Sequence, residues 1–420
     1  MRSLIVEPAR ISPPLYRRFV QRAQLTGWLT DHLVRGEPYL ALNAVVLDSD
    51  ENKLLAELSE AFVRIFDRAA YTLMKNVPRL VELGFPWPAA ELLSAELPRL
   101  PILGRFDFVQ DPTGHWWLLE YNADTPSGLR EAVAAEHCLL HLLPEARGLG
   151  RPSKNLAQSI VAAFRRAIEG VDPRTLGIVV DAGELEDLAQ MAFTAKLVGE
   201  PLARQGIATV LADVDNLTAT RQGVSLLGKS IGALYRYVPF ETTFGTSIFA
   251  AIYEAVAAGQ LQVLNGLYGL LLQNKGLLAW IWQQRGEEIF SPVEQELIER
   301  YLVPTWWIDE YPETIARSDL VAKQVFGREG EEVYFGEDLS SEAWAEVRRR
   351  RSYVVQRRIE VREFPTVIPT SLSAQLTTGR ATVGSYVVAS AWAGYYTRVG
   401  GKIITNRAKW FATLVEERER

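Results

Sequence analysis

The 420-residue chain predicts a mixed α/β (α+β) protein, in which strands present a polar surface and helices cover their apolar backs. Three stretches carry that expectation. An amphipathic helix spans 52–74, a hairpin of alternating character spans 104–122, and strands alternate with a helix between 176 and 238.

In the first stretch Leu54, Leu58, Phe62, Ile65, Phe66, Ala69 and Leu73 recur at helical spacing with charges between them, so one face is apolar. A proline-rich passage at 78–101 leads to the hairpin. Its turn, Asp111-Pro112-Thr113-Gly114, has Asp first, Pro to preset φ and Gly last. If Gln110 pairs with His115, Arg105 lies opposite Glu120, and Arg105, Asp107, Glu120 and Asn122 share one face. The other face then carries Phe106, Phe108, Trp117, Leu119 and Tyr121.

Two carboxylates and a carboxamide oxygen at neighbouring strand positions suit a hard cation. Mg²⁺ takes oxygen ligands, commonly one or two carboxylates plus substrate phosphates. Arg105 beside them suits a bidentate grip on phosphate or carboxylate. A surface hairpin with a cross-strand Arg–Glu pair is the competing reading, contributing a few tenths of a kcal/mol. The polar continuation Asn122-Ala123-Asp124-Thr125-Pro126-Ser127 favours a binding edge.

Leu129 to Leu143 reads as a helix and 144–152 as a loop or boundary. Within that helix His137 and His141 stand at i and i+4, a zinc-compatible spacing. No acidic zincin pattern surrounds them, so partly buried helix residues are the simpler reading. Strands follow at 176–181, 207–212 and 233–238, with a helix at 185–205 and the third strand ending in Pro239-Phe240-Glu241. This is a Rossmann-like pattern, but no Gly-x-Gly-x-x-Gly opens it, which argues against a dinucleotide site.

Past Asn265 a hydrophobic helix starts at Asn274-Lys275. Leu320–Lys323, the loop Gly327-Arg328-Glu329-Gly330 and Val333–Phe335 make a strand, glycine loop and strand. Glycines let backbone approach a phosphate and Lys323 supplies a point charge. The Walker pattern is missing, and an exposed β-turn is the alternative. Tyr353–Gln356 is a strand ending in a carboxamide that can meet an adenine edge, though buried strands often end in Gln without function. Arg348 to Arg351 closes a helix begun near Ser340, where cations complement the dipole. Strands at 386–392 and 395–398 precede a Gly400-Gly401 turn into Lys402–Thr405.

Composition bounds the function. With 48% hydrophobic and 23% charged residues the chain has the make-up of a soluble globular protein. A net charge of −6 argues against nucleic-acid binding, and the single Cys138 excludes an intrachain disulfide. The N-terminus lacks a signal-peptide core, and no apolar run reaches the roughly 20 residues of a membrane span. No membrane role is expected, and the expected location is cytoplasmic.

These pieces, in this order, resemble the glutathionylspermidine synthase family, whose synthetase domain has a permuted ATP-grasp fold. The resemblance runs from about residue 30 to the C-terminus. Its most specific element is Arg105-x-Asp107 followed by Glu120-Tyr121-Asn122-Ala123-Asp124-Thr125-Pro126. Tyr235-Arg236-Tyr237-x-Pro239-x-Glu241, Asn274-Lys275, Lys323 with its glycine loop, Gln356 and the Arg398…Thr405-Asn406 ending support it.

The resemblance implies an ATP-dependent ligase that joins a small peptide-like carboxylate to an amine or polyamine through an acyl phosphate. It implies that Asp107, Glu120 and Asn122 hold Mg²⁺, and that Lys275 and Lys323 contact ATP phosphates. Gly327 and Gly330 would cover those phosphates, and Gln356 would lie near adenine. Arg105 and Arg398 would stabilise the transferred phosphoryl group, while Thr125, Ser127 and Glu241 would contact substrate.

The implied organisation is an N-terminal region, 1–150, with the metal-binding hairpin of an ATP-grasp core. A Rossmann-like pre-ATP-grasp or substrate subdomain follows at 151–265, then the ATP-binding lid and remaining core at 266–420. Some details depart from the family. Lys323 is followed by Gln324 rather than Pro, Gln356 by Arg357 rather than an acid, and no amidase segment precedes the synthetase region. Linked hydrolysis is therefore expected to be absent. A catalytically silent ATP-binding or scaffolding protein is the alternative, and the complete metal set favours the ligase.

Overall fold

The computed structural model describes residues 1–417 apart from 5, 7–10, 31, 35, 221–222, 329, 331, 351, 370–373 and 402–407. Strands from both ends of the chain interleave in one nine-stranded sheet. Across it lie Arg2–Leu4, Leu40–Leu47, Lys409–Glu416, Ala391–Gly400, Ala374–Val388, Leu103–Gln110 and Trp116–Asn122. Leu40–Leu47 and Lys409–Glu416 run parallel, while the other neighbours along this path are antiparallel. Glu363–Pro369 and the short Leu149–Gly150 pair at its margins. The hairpin's Asp107 thereby faces Gly384, and Arg398 sits one strand further on, opposite Thr382.

The predicted amphipathic helix forms as Ser49–Met74, started by a capping box in which Asp48 and Glu51 satisfy each other's backbone amides. It lays Leu55, Leu58, Phe62 and Phe66 on the apolar back of the sheet. Phe66 meets Phe106 and Tyr121 edge-on at centroid distances of 5.6 and 5.5 Å, and those two rings stack at 3.9 Å. Each such side chain contributes roughly 1.5–3 kcal/mol by burial, which keeps the opposite, polar face of the hairpin rigid.

The hairpin forms, but in a different register from the expected one. Asp111 rather than Gln110 closes the turn on His115, because its carboxylate accepts from the Thr113 amide and hydroxyl and the His115 amide. Gln110 then pairs with Trp116, and a bulge between Asp107 and Phe108 shifts the register again. Asp107 therefore lies opposite Glu120, and Arg105 opposite Asn122. Trp116 and Leu118 enter the core in place of Trp117 and Leu119, since an extra residue reverses the alternation.

Four smaller sheets accompany this platform among the described residues, the smallest being the two-stranded pair Leu33–Val34 and Glu37–Pro38. Gln262–Val263, Ala233–Tyr237, Thr175–Val180 and Ala208–Asp213 form a parallel sheet in that order, with the helix Leu185–Ala203 between two of its strands. The Rossmann-like pattern is thus present. Thr305–Trp307, Tyr353–Arg357, Leu320–Gln324 and Val333–Phe335 form an antiparallel sheet, and Leu217–Thr220 begins a small three-stranded one.

Other segments take a more specific form than expected, and the helix expected at 129–143 is present. The 78–101 passage contains the helices Val77–Glu82 and Trp87–Ala95, whose prolines occupy first-turn positions that need no N–H. Glu131–Ala135 is a π turn that leads into the α-helix Glu136–Leu142. Within 144–152, Leu149–Gly150 adds to the sheet margin. The expected strand 386–392 is broken at Ala389 and Ser390, both at positive φ, which turn the chain into the next strand. The expected Lys402–Thr405 strand lies outside the described residues. Among the described residues no helix is long and apolar enough to cross a membrane.

Candidate active site

The polar face of the hairpin carries a buried cluster. Arg105 grips Asp107 side-on, Nε donating to Oδ1 at 2.7 Å and Nη2 to Oδ2 at 3.1 Å. Asn122 Nδ2 donates to Asp107 Oδ2 at 3.2 Å, and the Arg398 guanidinium stands 3.5 Å from the same oxygen. Lys275 Nζ is 3.5 Å from Glu120 Oε2. Burial pushes the Glu120 carboxyl up, but Lys275, Lys323, Arg398 and Arg105 outweigh it and hold the pKa down at about 2. Glu120 is therefore ionised at neutral pH.

Lys323 reaches this face from the antiparallel sheet, donating to Gln356 Oε1 at 2.7 Å. Gln356 Nε2 donates in turn to Leu119 O at 3.0 Å and Thr305 Oγ1 at 3.1 Å, so the carboxamide ties Lys323 to the hairpin. Burial lowers the Lys323 ammonium to about 8, with Glu120 raising it and Lys275 lowering it further. Lys275 begins the helix Lys275–Gln283, capped by the Asn274 side chain, and donates to Gly327 O at 2.7 Å. Four cations thus surround Asp107 and Glu120.

Beyond Asn122 the chain enters a tightly held loop. Gln273 Oε1 accepts from the amides of Ala123 and Asp124 at 3.1 and 3.0 Å. Ser127 O accepts from Arg105 Nη1 at 3.0 Å and from the Tyr386 hydroxyl at 2.6 Å. Gly128 has φ +94°, and a Cβ there would lie 2.3 Å from the Tyr396 ring. Only glycine allows both the left-handed backbone and that approach. Gln190, from the helix Leu185–Ala203, joins Pro126 O to the Tyr237 hydroxyl.

A second charge cluster meets this loop. Asp124, 1% exposed, is clamped between Arg236 and Arg328. Arg328 Nη2 donates to Asp124 Oδ2 at 2.6 Å and to Glu241 Oε2 at 2.9 Å; Nη1 donates to Thr125 Oγ1 at 2.8 Å, and Nε to Glu241 Oε1. Arg236 lies over the Phe240 ring with its guanidinium carbon 3.5 Å from the centroid. Burial raises the Asp124 carboxyl, but the two arginines outweigh it and hold it below the usual range.

The structure brings Arg105, Asp107, Glu120, Asn122, Lys275, Lys323, Gln356 and Arg398 together on one face. Thr125, Ser127 and Glu241 lie at its margin, linked through Arg105 and Arg328, and Gly327 touches the cluster through Lys275. Asp124, Arg236 and Arg328 carry no site signal of their own in the sequence, although each stands inside a motif that holds expected site residues. Their pairing joins positions far apart in sequence and leaves no periodic signal.

Asp107, Glu120 and Asn122 carry side-chain oxygens of the kind Mg²⁺ takes alongside phosphates, although here both Asp107 oxygens accept from Arg105 and Asn122 turns its Nδ2 toward Asp107. The same donor set is too small for a resident ion held by protein alone. Among the described residues no group of three or more His, Cys, Asp or Glu is arranged to hold a metal. His137 and His141 have no third ligand there, and His141 Nδ1 contacts His137 O at 2.8 Å.

Comparisons with known proteins show what this mixed α/β chain is similar to. It belongs to the glutathionylspermidine synthase preATP-grasp family, whose pattern it matches over residues 12–416. A Haemophilus influenzae protein, named provisionally as an acid–amine ligase, is 25% identical over 326 residues, 74% of this chain and 73% of that protein. The apo structure of a glutathione synthetase-like effector from Globodera pallida has the same fold, with a TM-score of 0.70 and 10% identity over 98% of each chain.

Proposed function

We propose that the protein is an ATP- and Mg²⁺-dependent ligase that joins a small peptide-like carboxylate to an amine or polyamine through an acyl phosphate. The observation that carries this reading is the convergence of Lys275, Lys323, Arg105 and Arg398 on Asp107 and Glu120. The family and the name of the Haemophilus influenzae relative support the acid–amine part. The hairpin, the central sheet and the Lys323 sheet form the nucleotide half, and the parallel sheet with Glu241 forms the amine side.

The residues then divide the work as follows. Asp107, Glu120 and Asn122 would hold Mg²⁺, which would supply neutralisation of phosphate oxygens. Lys275 and Lys323 hold the phosphates of ATP, and Gly327 and Gly330 let backbone lie close over them and exclude water. Gln356 keeps Lys323 aimed at the phosphates and borders the adenine pocket. A substrate carboxylate oxygen attacks the γ-phosphorus and ADP leaves; Arg105 and Arg398 offset the charge on the transferred group. The amine, after losing a proton, attacks the acyl carbon and expels phosphate. Thr125 and Ser127 border the acid, while Glu241 orients the ammonium and accepts its proton.

The test is Mg²⁺-dependent ADP release by the purified chain with no substrate, with glutathione plus spermidine, and with mixed peptide and amine pools. Release only when both an acid and an amine are present, lost in Asp107→Asn, is the expected result. Nucleotide binding with no stimulation by any pool would overturn it.

A further inference from the structure

The ligase reading assigns Glu241 to the amine, yet both of its carboxylate oxygens are taken by Arg328. Arg328 spends four N–H bonds on Glu241, Asp124 and Thr125, so its fork is nearly saturated by the protein itself. The group of Glu241, Arg328, Asp124 and Arg236 holds two acids and two arginines and is internally neutral. A cationic amine in this arrangement competes with the Arg328 guanidinium for both Glu241 oxygens. Lys275 shows the same self-satisfaction, since its ammonium rests on Gly327 O, next to Arg328 in the chain.

We propose, on the basis of the ligase reading, that Arg328 is a substrate-coupling residue. It masks Glu241 until an anionic group of the acid or of its phosphorylated form draws the guanidinium away, so that the ammonium site exists only once the acid is loaded. The physics is a charge exchange. An Arg pulled from a partly buried ion pair leaves an uncompensated carboxylate, which is costly unless a new cation arrives. The incoming ammonium supplies that cation. Binding of acid and amine is then reciprocally coupled, by a factor that falls typically between about 5 and 150. The consequence is an order of addition, acid before amine, and little unproductive capture of free polyamine.

The test is calorimetric binding of spermidine to the full chain without nucleotide or acid. Arg328→Gln, which removes the mask while keeping a polar side chain, is expected to bind spermidine at least about fivefold more tightly than the natural chain. Adding Glu241→Gln is expected to abolish that gain, which isolates the pair as a double-mutant cycle. Equal affinities of Arg328→Gln and the natural chain, no binding by either, or a gain that persists with Glu241→Gln would each overturn the proposal. ADP release by the natural chain with mixed acid and amine pools reads the ligase assignment separately, and it can succeed while the coupling fails.

Discussion

The hairpin cluster and the Asp124 cluster use the same residue types to opposite effect. On the hairpin, four cations face the two carboxylates Asp107 and Glu120, and the backbone beneath is a strand pair packed on Phe62 and Phe66. Around Asp124, two arginines face two carboxylates and every charge has a close partner. The first cluster carries surplus positive charge on a rigid support, which suits a polyanion. The second is neutral and interlocked, so a ligand enters it only by exchange. Balance of charge, more than identity of residues, separates a receiving surface from a latch.

The comparison breaks most visibly at Asp107. Asp107→Asn keeps the shape but removes a proposed metal ligand and Arg105's ion-pair partner, and kcat/KM is expected to fall roughly 10²–10³-fold. Steady-state ADP release measures this; unchanged turnover would move the metal elsewhere. Lys323→Ala removes one of the surplus cations. Nucleotide affinity should drop by about 1.5–3 kcal/mol, the range for a hydrogen bond to a charged group, as read by titration calorimetry. An unaltered affinity would confine the phosphate site to Lys275.

A smaller effect tests the charge of Lys323 directly. Its pKa of about 8 means that it is protonated below that pH and neutral above it. Hence kcat/KM for ATP, which reports the free enzyme, should fall as pH rises through about 8. Lys323→Arg should move that limb to higher pH, and a limb that stays in place would assign it to another group. The smallest change is expected from Tyr386→Phe, which removes the hydroxyl donated to Ser127 O. A stability loss of about 0.5–1.5 kcal/mol is expected in denaturant titration, with ADP release retained.

Much of the hairpin was legible because strand alternation is a local rule. Arg105, Asp107, Glu120 and Asn122 do share a face, and helix 52–74 does present an apolar stripe. The register was not legible. Asp111's side chain chose the closing pair, and a bulge then changed which of Trp116, Trp117, Leu118 and Leu119 turn inward. Both choices rest on hydrogen bonds and packing that composition does not encode. The helices within 77–95 were obscured because prolines at first-turn positions look like breakers until the turn is seen.

By itself the sequence determined the class of fold, the residue types of the site and their grouping into motifs, because periodicity and motif spacing are properties of a single chain. Only the tertiary structure decided that Arg398 would stand beside Asp107, that Gln356 would spend its carboxamide on Lys323, and that Arg328 would seize Glu241. Those pairings join residues 33 to 291 positions apart. They are settled by which strands become neighbours and by the need of each buried charge for a partner, and both are outcomes of the whole fold.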